Sequence, residues 1–259
     1  MIVAAWHRIR QGLEPLPADY VLSHTANFLW QLRGVKPSEK MVKILDTCLV
    51  LHADHTFNAS TFSCRQVVST RAHMYAGVTA GIGALSGSLH GGANAQVMAM
   101  LTSLEGEKDI AGWVKKQLES GKRIMGMGHA VYKTMDPRAR FLKEMAITLG
   151  KEMGQEELVE RSLQVEQAAL AEFEKRGKTE IKPNVDFYSA AIYHLLGIPL
   201  DLMTPIFAIS RIAGWTAHII EEKTGEAQVK PALYRPKAEY IGQYCGLLGC
   251  TFEPLKERT

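Results

Sequence analysis

The chain has 259 residues, of which 46% are hydrophobic and 22% are charged, and its formal net charge is +3. This length allows one large domain or two smaller ones with a substantial core. Lysine and arginine are spread along the chain without a dense run, which gives no support to nucleic-acid binding, although a slight positive excess suits small anionic substrates.

The N-terminus and the cysteines indicate a cytoplasmic protein. Residues 1–6 are apolar, but His7 and Arg8 end this run too early for a signal peptide. The longest uncharged stretch, 74–89, is shorter than the roughly 20 apolar residues of a membrane span. Because that stretch is too short, we expect no membrane contact. The four cysteines form no CxxC pair and follow no zinc-ligand spacing, so we expect reduced thiols.

Helical periodicity dominates the chain. After the start signal at 37–39, apolar residues recur at helical spacing, and further apolar stripes occupy 110–118, 155–176 and 206–220. The stretch 74–89 is rich in small residues, which favours a helix packed closely in a core or against the same helix of a second copy. Alternating strand patterns are nearly absent, apart from a short extended piece expected near the C-terminus. The sequence therefore predicts a mainly α fold.

His52 and His55 lie on one face if their segment is helical, as at the start of a metal site. A third ligand at a suitable spacing is missing, so we expect no metal. Instead, His52 is expected to cap or pack at the end of the preceding helix. His55, followed by Asn58 and Ser60, is typical of an anion-binding corner.

Three polar segments lie among small residues, at 88–94, 128–133 and 183–189. Each one alone is explained by a turn with incidental polar residues, since glycine and asparagine are common in turns. Together they supply His90 and His129, which can give or take a proton near neutral pH, and Asp186, which can serve as a base. Their joint occurrence favours an enzyme that moves protons.

Basic residues near these segments suggest anion binding. The glycine pair at 126–128 is too short for a dinucleotide fingerprint, but with Arg123 before it and Lys133 after it the loop could present backbone N–H groups and cations to phosphates. Residues 136–138 indicate a helix start that carries an arginine. Arg211 lies in an apolar run, where burial requires an anion, either a distant carboxylate or a carboxylate substrate.

These segments resemble the citrate synthases, which condense acetyl-coenzyme A with oxaloacetate. The resemblance covers essentially the whole chain and rests on segments in the family's order and spacing, namely 89–94, 128–133, 136–138, 183–189, 207–211 and 235–236. It implies a mainly α, two-domain fold. A small helical domain at 93–197 would close over a larger domain built from 1–92 and 198–259, with His90 beside the hinge.

The resemblance also implies roles for the polar residues. Asp186 would remove a methyl proton from the thioester, and His90 would hydrogen-bond the thioester oxygen. His129 would polarise the ketone of oxaloacetate and protonate the alkoxide, and hydrolysis of the citryl thioester would release coenzyme A, as in the tricarboxylic acid cycle. The family's oxaloacetate ligands match positions that carry cationic or titratable side chains here: His55, Arg138, Arg211 and Arg235.

The remaining implications concern the coenzyme and assembly. Coenzyme A would contact Arg123, Gly126, Gly128 and Lys133, as a co-substrate rather than a tightly bound cofactor, and no metal would be needed. Arg235 would reach into the neighbouring subunit's site, which makes a homodimer a requirement for catalysis.

The chain also departs from the family pattern. Thr56 and Ala95 stand where relatives usually have Glu, and relatives have a further N-terminal segment that completes the large domain. We therefore expect an incomplete large domain, which a second chain could complete. Two alternatives stay open at this point, a 2-methylcitrate synthase that uses propionyl-coenzyme A and a truncated, non-catalytic subunit or fragment.

Overall fold

A computed structural model of the protein describes residues 1–88, 90–129, 132, 134–225 and 233–239. In these residues eleven α-helices follow one another: α1 Ile2–Arg10, α2 His24–Arg33, α3 Glu39–His52, α4 Ala59–Val68, α5 Met74–Leu85, α6 Ala93–Ser103, α7 Ile110–Glu119, α8 Pro137–Met153, α9 Glu156–Lys175, α10 Val185–Leu195 and α11 Met203–Thr224. The only extended pairing among them is an isolated bridge between Met127 and Pro183. The mainly α prediction is confirmed.

The predicted helix starts are capped as their residues suggest. Ser38 accepts a hydrogen bond from the Met41 amide at the start of α3, and Asp136 caps α8 with Pro137 in the first turn. The predicted stripes appear as α3, α7, α9 and α11. Residues 233–239 have no regular secondary structure, and Lys133, Cys245 and Cys250 lie outside the described residues.

Two helical clusters build the core. Helix α10 is almost wholly buried and packs against α6, α8 and α9, whereas α4 and α5 pack against each other and against α11. The small residues of α5 allow this approach, because a Cβ on Gly81 would lie 2.5 Å from Cys64 Sγ and a Cβ on Gly77 would lie 2.7 Å from a methyl group of Val68. Within the described part of the chain, no helix is long and apolar enough to cross a bilayer.

Two tyrosines of α10 offer a test of the buried polar contacts. The Tyr188 hydroxyl donates to Glu166 Oε2 at 2.5 Å, whereas the Tyr193 hydroxyl has no hydrogen-bond partner among the described residues. Removing Tyr188 Oη leaves a buried carboxylate short of a donor, so we expect Tyr188→Phe to lower the free energy of unfolding by about 1–3 kcal/mol. Tyr193→Phe should leave it unchanged or raise it. Urea denaturation compares the two variants, and equal losses would contradict this expectation.

Candidate active site

His90 follows α5 and is held by α4. Its Nε2 atom lies 2.8 Å from Ser60 Oγ and accepts the Ser60 backbone N–H at 3.3 Å. Trp215 Nε1 donates to the same hydroxyl at 3.1 Å, and Asn58 Oδ1, 2.8 Å from that hydroxyl, is a second acceptor for its single proton beside His90 Nε2. Because a backbone N–H can only donate, His90 Nε2 is an acceptor and the ring proton is on Nδ1. Burial, and then the charge of Arg211, lowers the pKa of His90, so the ring is a neutral donor.

His129 has the opposite tautomer. Its Nδ1 atom accepts the Tyr132 backbone N–H at 3.1 Å, which assigns the ring proton to Nε2. Burial lowers the pKa of His129, with Asp136 opposing and Arg138 assisting. The His55 ring lies edge-on to His129 at 5.1 Å between centroids, and His55 Nε2 lies 3.3 Å from the Tyr132 hydroxyl. Burial is also the largest cause of the lowered pKa of His55.

Asn184 ties the loop that ends at His129 to the first turn of α10. Its Nδ2 donates to the Gly128 carbonyl at 2.8 Å, and its Oδ1 accepts the Asp186 backbone N–H at 3.0 Å. The Asn184 amide also donates to the Gly126 carbonyl at 2.9 Å. Gly126 has a φ of +77°, and a Cβ there would lie 2.8 Å from neighbouring side chains. One asparagine therefore sets the position of His129 relative to Asp186.

Asp186 lies in the first turn of α10 with an unusually basic carboxylate. Burial raises its pKa to about 6, with Asp136 adding to the shift and the charges of Arg138 and Arg211 opposing it. The carboxylate is thus ionised at neutral pH, yet basic enough to take a proton.

Arg138 is fixed by a buried carboxylate. Its Nε and Nη2 atoms donate to the two oxygens of Asp136 at 3.0 and 2.8 Å, and Asp136 is 1% exposed. Desolvation acts against ionisation of Asp136, but the contacts with Arg138 hold the pKa of that carboxyl below its usual range. The sequence indicated a helix start that carries an arginine, but not that Asp136 pairs with it. In the folded protein, Asp136 is both the helix cap and the counterion of Arg138.

Arg211 is 1% exposed, and no carboxylate of the described residues lies within ion-pair distance of its guanidinium. Nε donates to the His52 carbonyl at 2.7 Å, and the guanidinium carbon lies 4.8 Å from the centre of the Phe207 ring. Burial lowers the pKa of Arg211 to about 10, while Asp54 and Asp186 oppose that shift from a distance. The sequence analysis expected a distant carboxylate or a carboxylate substrate as the counterion of Arg211. Asp54 and Asp186 act on Arg211 from a distance, but neither forms an ion pair with it.

Glycine on α11 lets the turn after α3 lie close to Arg211. The Gly214 amide donates to the Ala53 carbonyl at 3.1 Å, and a Cβ on Gly214 would lie 2.4 Å from that oxygen. His52, predicted to cap or pack at the helix end, is fully buried as the last residue of α3, with Nδ1 2.7 Å from the Cys48 carbonyl. That packing prediction is confirmed.

The charges of Arg138 and Arg211 affect the pKa values of the acid–base groups. Arg138 acts on His55, His129 and Asp186, and Arg211 acts on His55, His90 and Asp186. The predicted acid–base residues and three of the four predicted oxaloacetate ligands therefore lie close enough to interact electrostatically, and they form one candidate site.

Other expectations fare differently. Arg123 is exposed, and Arg235 is exposed without a hydrogen bond or ion pair to any described residue. In the anion-binding corner expected at His55, Asn58 caps α4 and the Ser60 hydroxyl contacts protein side chains, while anion binding by His55 stays a prediction. In the described ranges, no group of three His, Cys, Asp or Glu residues could hold a metal ion.

Comparison with known proteins identifies relatives of this chain. Citrate synthase 2 of Bacillus subtilis strain 168 is 46% identical over 241 residues, which cover 93% of this chain and 62% of that protein. The crystal structure of citrate synthase from Pyrobaculum aerophilum matches with a TM-score of 0.86 and 35% identity, covering 99% of this chain and 61% of that one. A ternary complex of carboxymethyl coenzyme A and oxaloacetate with citrate synthase from Thermoplasma acidophilum has a TM-score of 0.83, 33% identity and coverage of 99% and 66%.

The chain thus spans less than two thirds of the length of these relatives. The family model for the C-terminal domain of citrate synthase matches residues 1–237. That match includes every residue placed at the candidate site, from His55 to Arg211. The chain therefore belongs to the citrate synthase family.

Proposed function

We propose that this chain condenses acetyl-coenzyme A with oxaloacetate and hydrolyses the citryl thioester to citrate and coenzyme A. The observation that carries the proposal is the composition of this site, in which two neutral histidines of opposite tautomer, a carboxylate of raised pKa and two arginines interact. The relative solved with carboxymethyl coenzyme A and oxaloacetate supports the two substrate classes.

The nucleophile would be made by Asp186 and His90. A thioester methyl group is a very weak acid, so a base alone is not enough. The ionised Asp186 removes the proton, and the Nδ1–H of His90 donates to the thioester oxygen as negative charge develops there. Ser60 holds His90 in the tautomer that this step needs.

The electrophile would be prepared by His129 and the arginines. His129 donates from Nε2 to the ketone oxygen and protonates the alkoxide as it forms. Arg138, Arg211 and His55 bind the two carboxylates of oxaloacetate, whose negative charge compensates the buried guanidinium of Arg211. Coenzyme A would contact the loop at Gly126 and Gly128, with Arg123 and Lys133 near its phosphates; no tightly bound cofactor or metal takes part.

The proposed assembly is a homodimer. On the side away from α4, helix α5 exposes Tyr75 and Ile82, and the neighbouring α11 exposes Ile212 and Ile220. A second copy would cover this apolar face, and Arg235 would enter the partner's site. A cytoplasmic location and a place in the tricarboxylic acid cycle belong to the same proposal and rest on the family.

Domain closure completes the proposal. The small domain, 93–197, would close over 1–92 and 198–259 and exclude water until condensation is complete. The matched relatives extend well beyond this chain, which spans less than two thirds of their length.

Release of coenzyme A tests the proposal. The thiol is measured with oxaloacetate and acetyl-coenzyme A, for the chain alone and together with the remaining part of a relative. We expect turnover that requires both substrates, with kcat/KM for acetyl-coenzyme A about 10- to 200-fold above that for propionyl-coenzyme A. A ratio favouring propionyl-coenzyme A would make the protein a 2-methylcitrate synthase. No turnover in either mixture, despite a helical circular-dichroism spectrum, would identify a non-catalytic subunit or fragment.

The pH dependence follows from the raised pKa of Asp186. We expect kcat/KM to fall below a pH of about 6 with a slope of one, because a single proton on this carboxylate removes the base. Burial lowers the pKa of His55, His90 and His129, so these rings take up a proton less readily than free imidazoles as the pH falls. Initial rates between pH 5 and 8 measure the profile, and activity that stays level down to pH 5 would contradict it.

A further inference from the structure

The C-terminal segment, residues 233–239, contacts a buried ion pair between α4 and α11. The Arg65 and Glu222 side chains are 3% and 1% exposed, and Arg65 Nη2 lies 2.8 Å from Glu222 Oε2. The Tyr234 hydroxyl donates to that same oxygen at 3.0 Å, and the Tyr234 ring meets Phe62 edge-on at 5.7 Å between centroids. Tyr234 thus adds a hydrogen bond to a carboxylate that is almost fully shielded from water.

The next residue is in the opposite situation. Arg235 is exposed and makes no hydrogen bond or ion pair with any described residue, although its backbone is one residue from an anchored ring. The contact of the Tyr234 ring fixes the backbone beside Arg235, while the guanidinium of Arg235 stays available. Binding of this guanidinium to a second subunit would therefore cost less conformational entropy, because the segment is already ordered.

We propose that Tyr234 is a positioning residue, which fixes the C-terminal segment on the Arg65–Glu222 pair so that Arg235 is presented to the oxaloacetate site of the partner subunit. This inference rests on the proposed function. Tyr234 itself touches no substrate, and its effect is therefore on oxaloacetate binding rather than on the chemical step.

Tyr234 is a cleaner probe than Arg65. Arg65 Nη1 also lies 3.1 Å from His218 Nδ1, and His218 Nε2 lies 3.2 Å from Asp54 Oδ1, next to His55. An Arg65 variant would therefore disturb the surroundings of His55 in the same subunit as well as the C-terminal segment. Tyr234→Phe removes only one hydroxyl, and Tyr20→Phe, at a residue 99% exposed, is the matched control.

The first test is kinetic. Loss of a hydrogen bond to a buried carboxylate should raise the KM for oxaloacetate about 10-fold in Tyr234→Phe, with kcat and the KM for acetyl-coenzyme A nearly unchanged. Tyr20→Phe should match the wild type. Amide hydrogen exchange of residues 233–239 should accelerate in Tyr234→Phe, whereas that of α4 and α11 should not. Unchanged KM and exchange, in a protein that still turns over, would overturn the inference and leave the proposed function standing.

Mixed dimers distinguish action across the interface from action within one subunit. In a hybrid of a Tyr234→Phe subunit and an Asp186→Asn subunit, the only working base is in the first subunit, and the intact Tyr234 is in the second. If Tyr234 presents Arg235 to the partner, the hybrid has the wild-type KM for oxaloacetate. A hybrid KM as high as that of the Tyr234→Phe homodimer would place the effect within one subunit and refute the proposal.

Discussion

Replacing Asp186 with Asn should lower the rate of coenzyme A release by roughly 10²- to 10⁴-fold while leaving oxaloacetate binding largely intact. The substitution keeps the shape of the side chain and the helix start, since the backbone N–H of residue 186 still donates to Asn184 Oδ1. What it removes is the carboxylate, whose pKa of about 6 suits it to accept a proton at neutral pH. Steady-state kinetics and calorimetric titration with oxaloacetate measure the two effects separately.

The stability of the same variant shows that lost activity is not lost folding. Burial raises the folded-state pKa of Asp186, so the folded protein holds this proton more tightly than the unfolded chain does. The wild type therefore loses stability as the pH rises from about 4 to 6, and the Asn variant does not. We expect the variant to resist urea better than the wild type at pH 7.5 and equally near pH 4. Near-normal turnover, or a less stable variant at pH 7.5, would argue against Asp186 as a buried base.

Local features of the sequence were enough to predict α3, α5, α7, α9 and α11 and the start of α8. The caps at Ser38 and Asp136 act within a few residues of the helices that they start, so spacing alone reveals them. The acid–base residues were also visible, because His90, His129 and Asp186 interrupt small-residue segments. Their roles came from resemblance to the citrate synthases and remain to be tested.

The residues that hold the site together could not be predicted in the same way. Ser60 meets His90 across 30 positions, and Asn184 meets Gly128 across 56. Serine and asparagine at such distances have no periodic pattern, and each has an ordinary local role as a turn or cap residue. Asp136 did have a local signal, but a helix cap explained it equally well until the bidentate contact with Arg138 appeared.

Replacing Arg211 with Met should separate substrate binding from stability. A guanidinium that binds a carboxylate through two charge-assisted hydrogen bonds contributes about 3–5 kcal/mol, so the Kd for oxaloacetate should rise roughly 10²- to 10⁴-fold. Arg211→Lys should restore little of this, because an ammonium group cannot form the bidentate contact. Calorimetric titration of the three proteins with oxaloacetate gives the comparison.

The free energy of unfolding should behave differently. Arg211 is buried and no described carboxylate pairs with it, so its removal relieves a buried charge while the His52 carbonyl loses one donor. The two effects oppose each other, and we expect Arg211→Met to be about as stable as the wild type. Arg65→Met is the matched control, because it removes a buried cation that pairs with the 1% exposed side chain of Glu222 at 2.8 Å and should cost about 3–5 kcal/mol.

Urea denaturation of the two variants decides between a binding and a structural role for Arg211. A loss of stability in Arg211→Met as large as that in Arg65→Met would mean that Arg211 holds the fold together. A stable Arg211→Met protein that no longer binds oxaloacetate would mean that the guanidinium is kept in the core for the substrate. Since only an anionic ligand can then neutralise it, oxaloacetate should stabilise the wild type against urea and leave Arg211→Met unaffected.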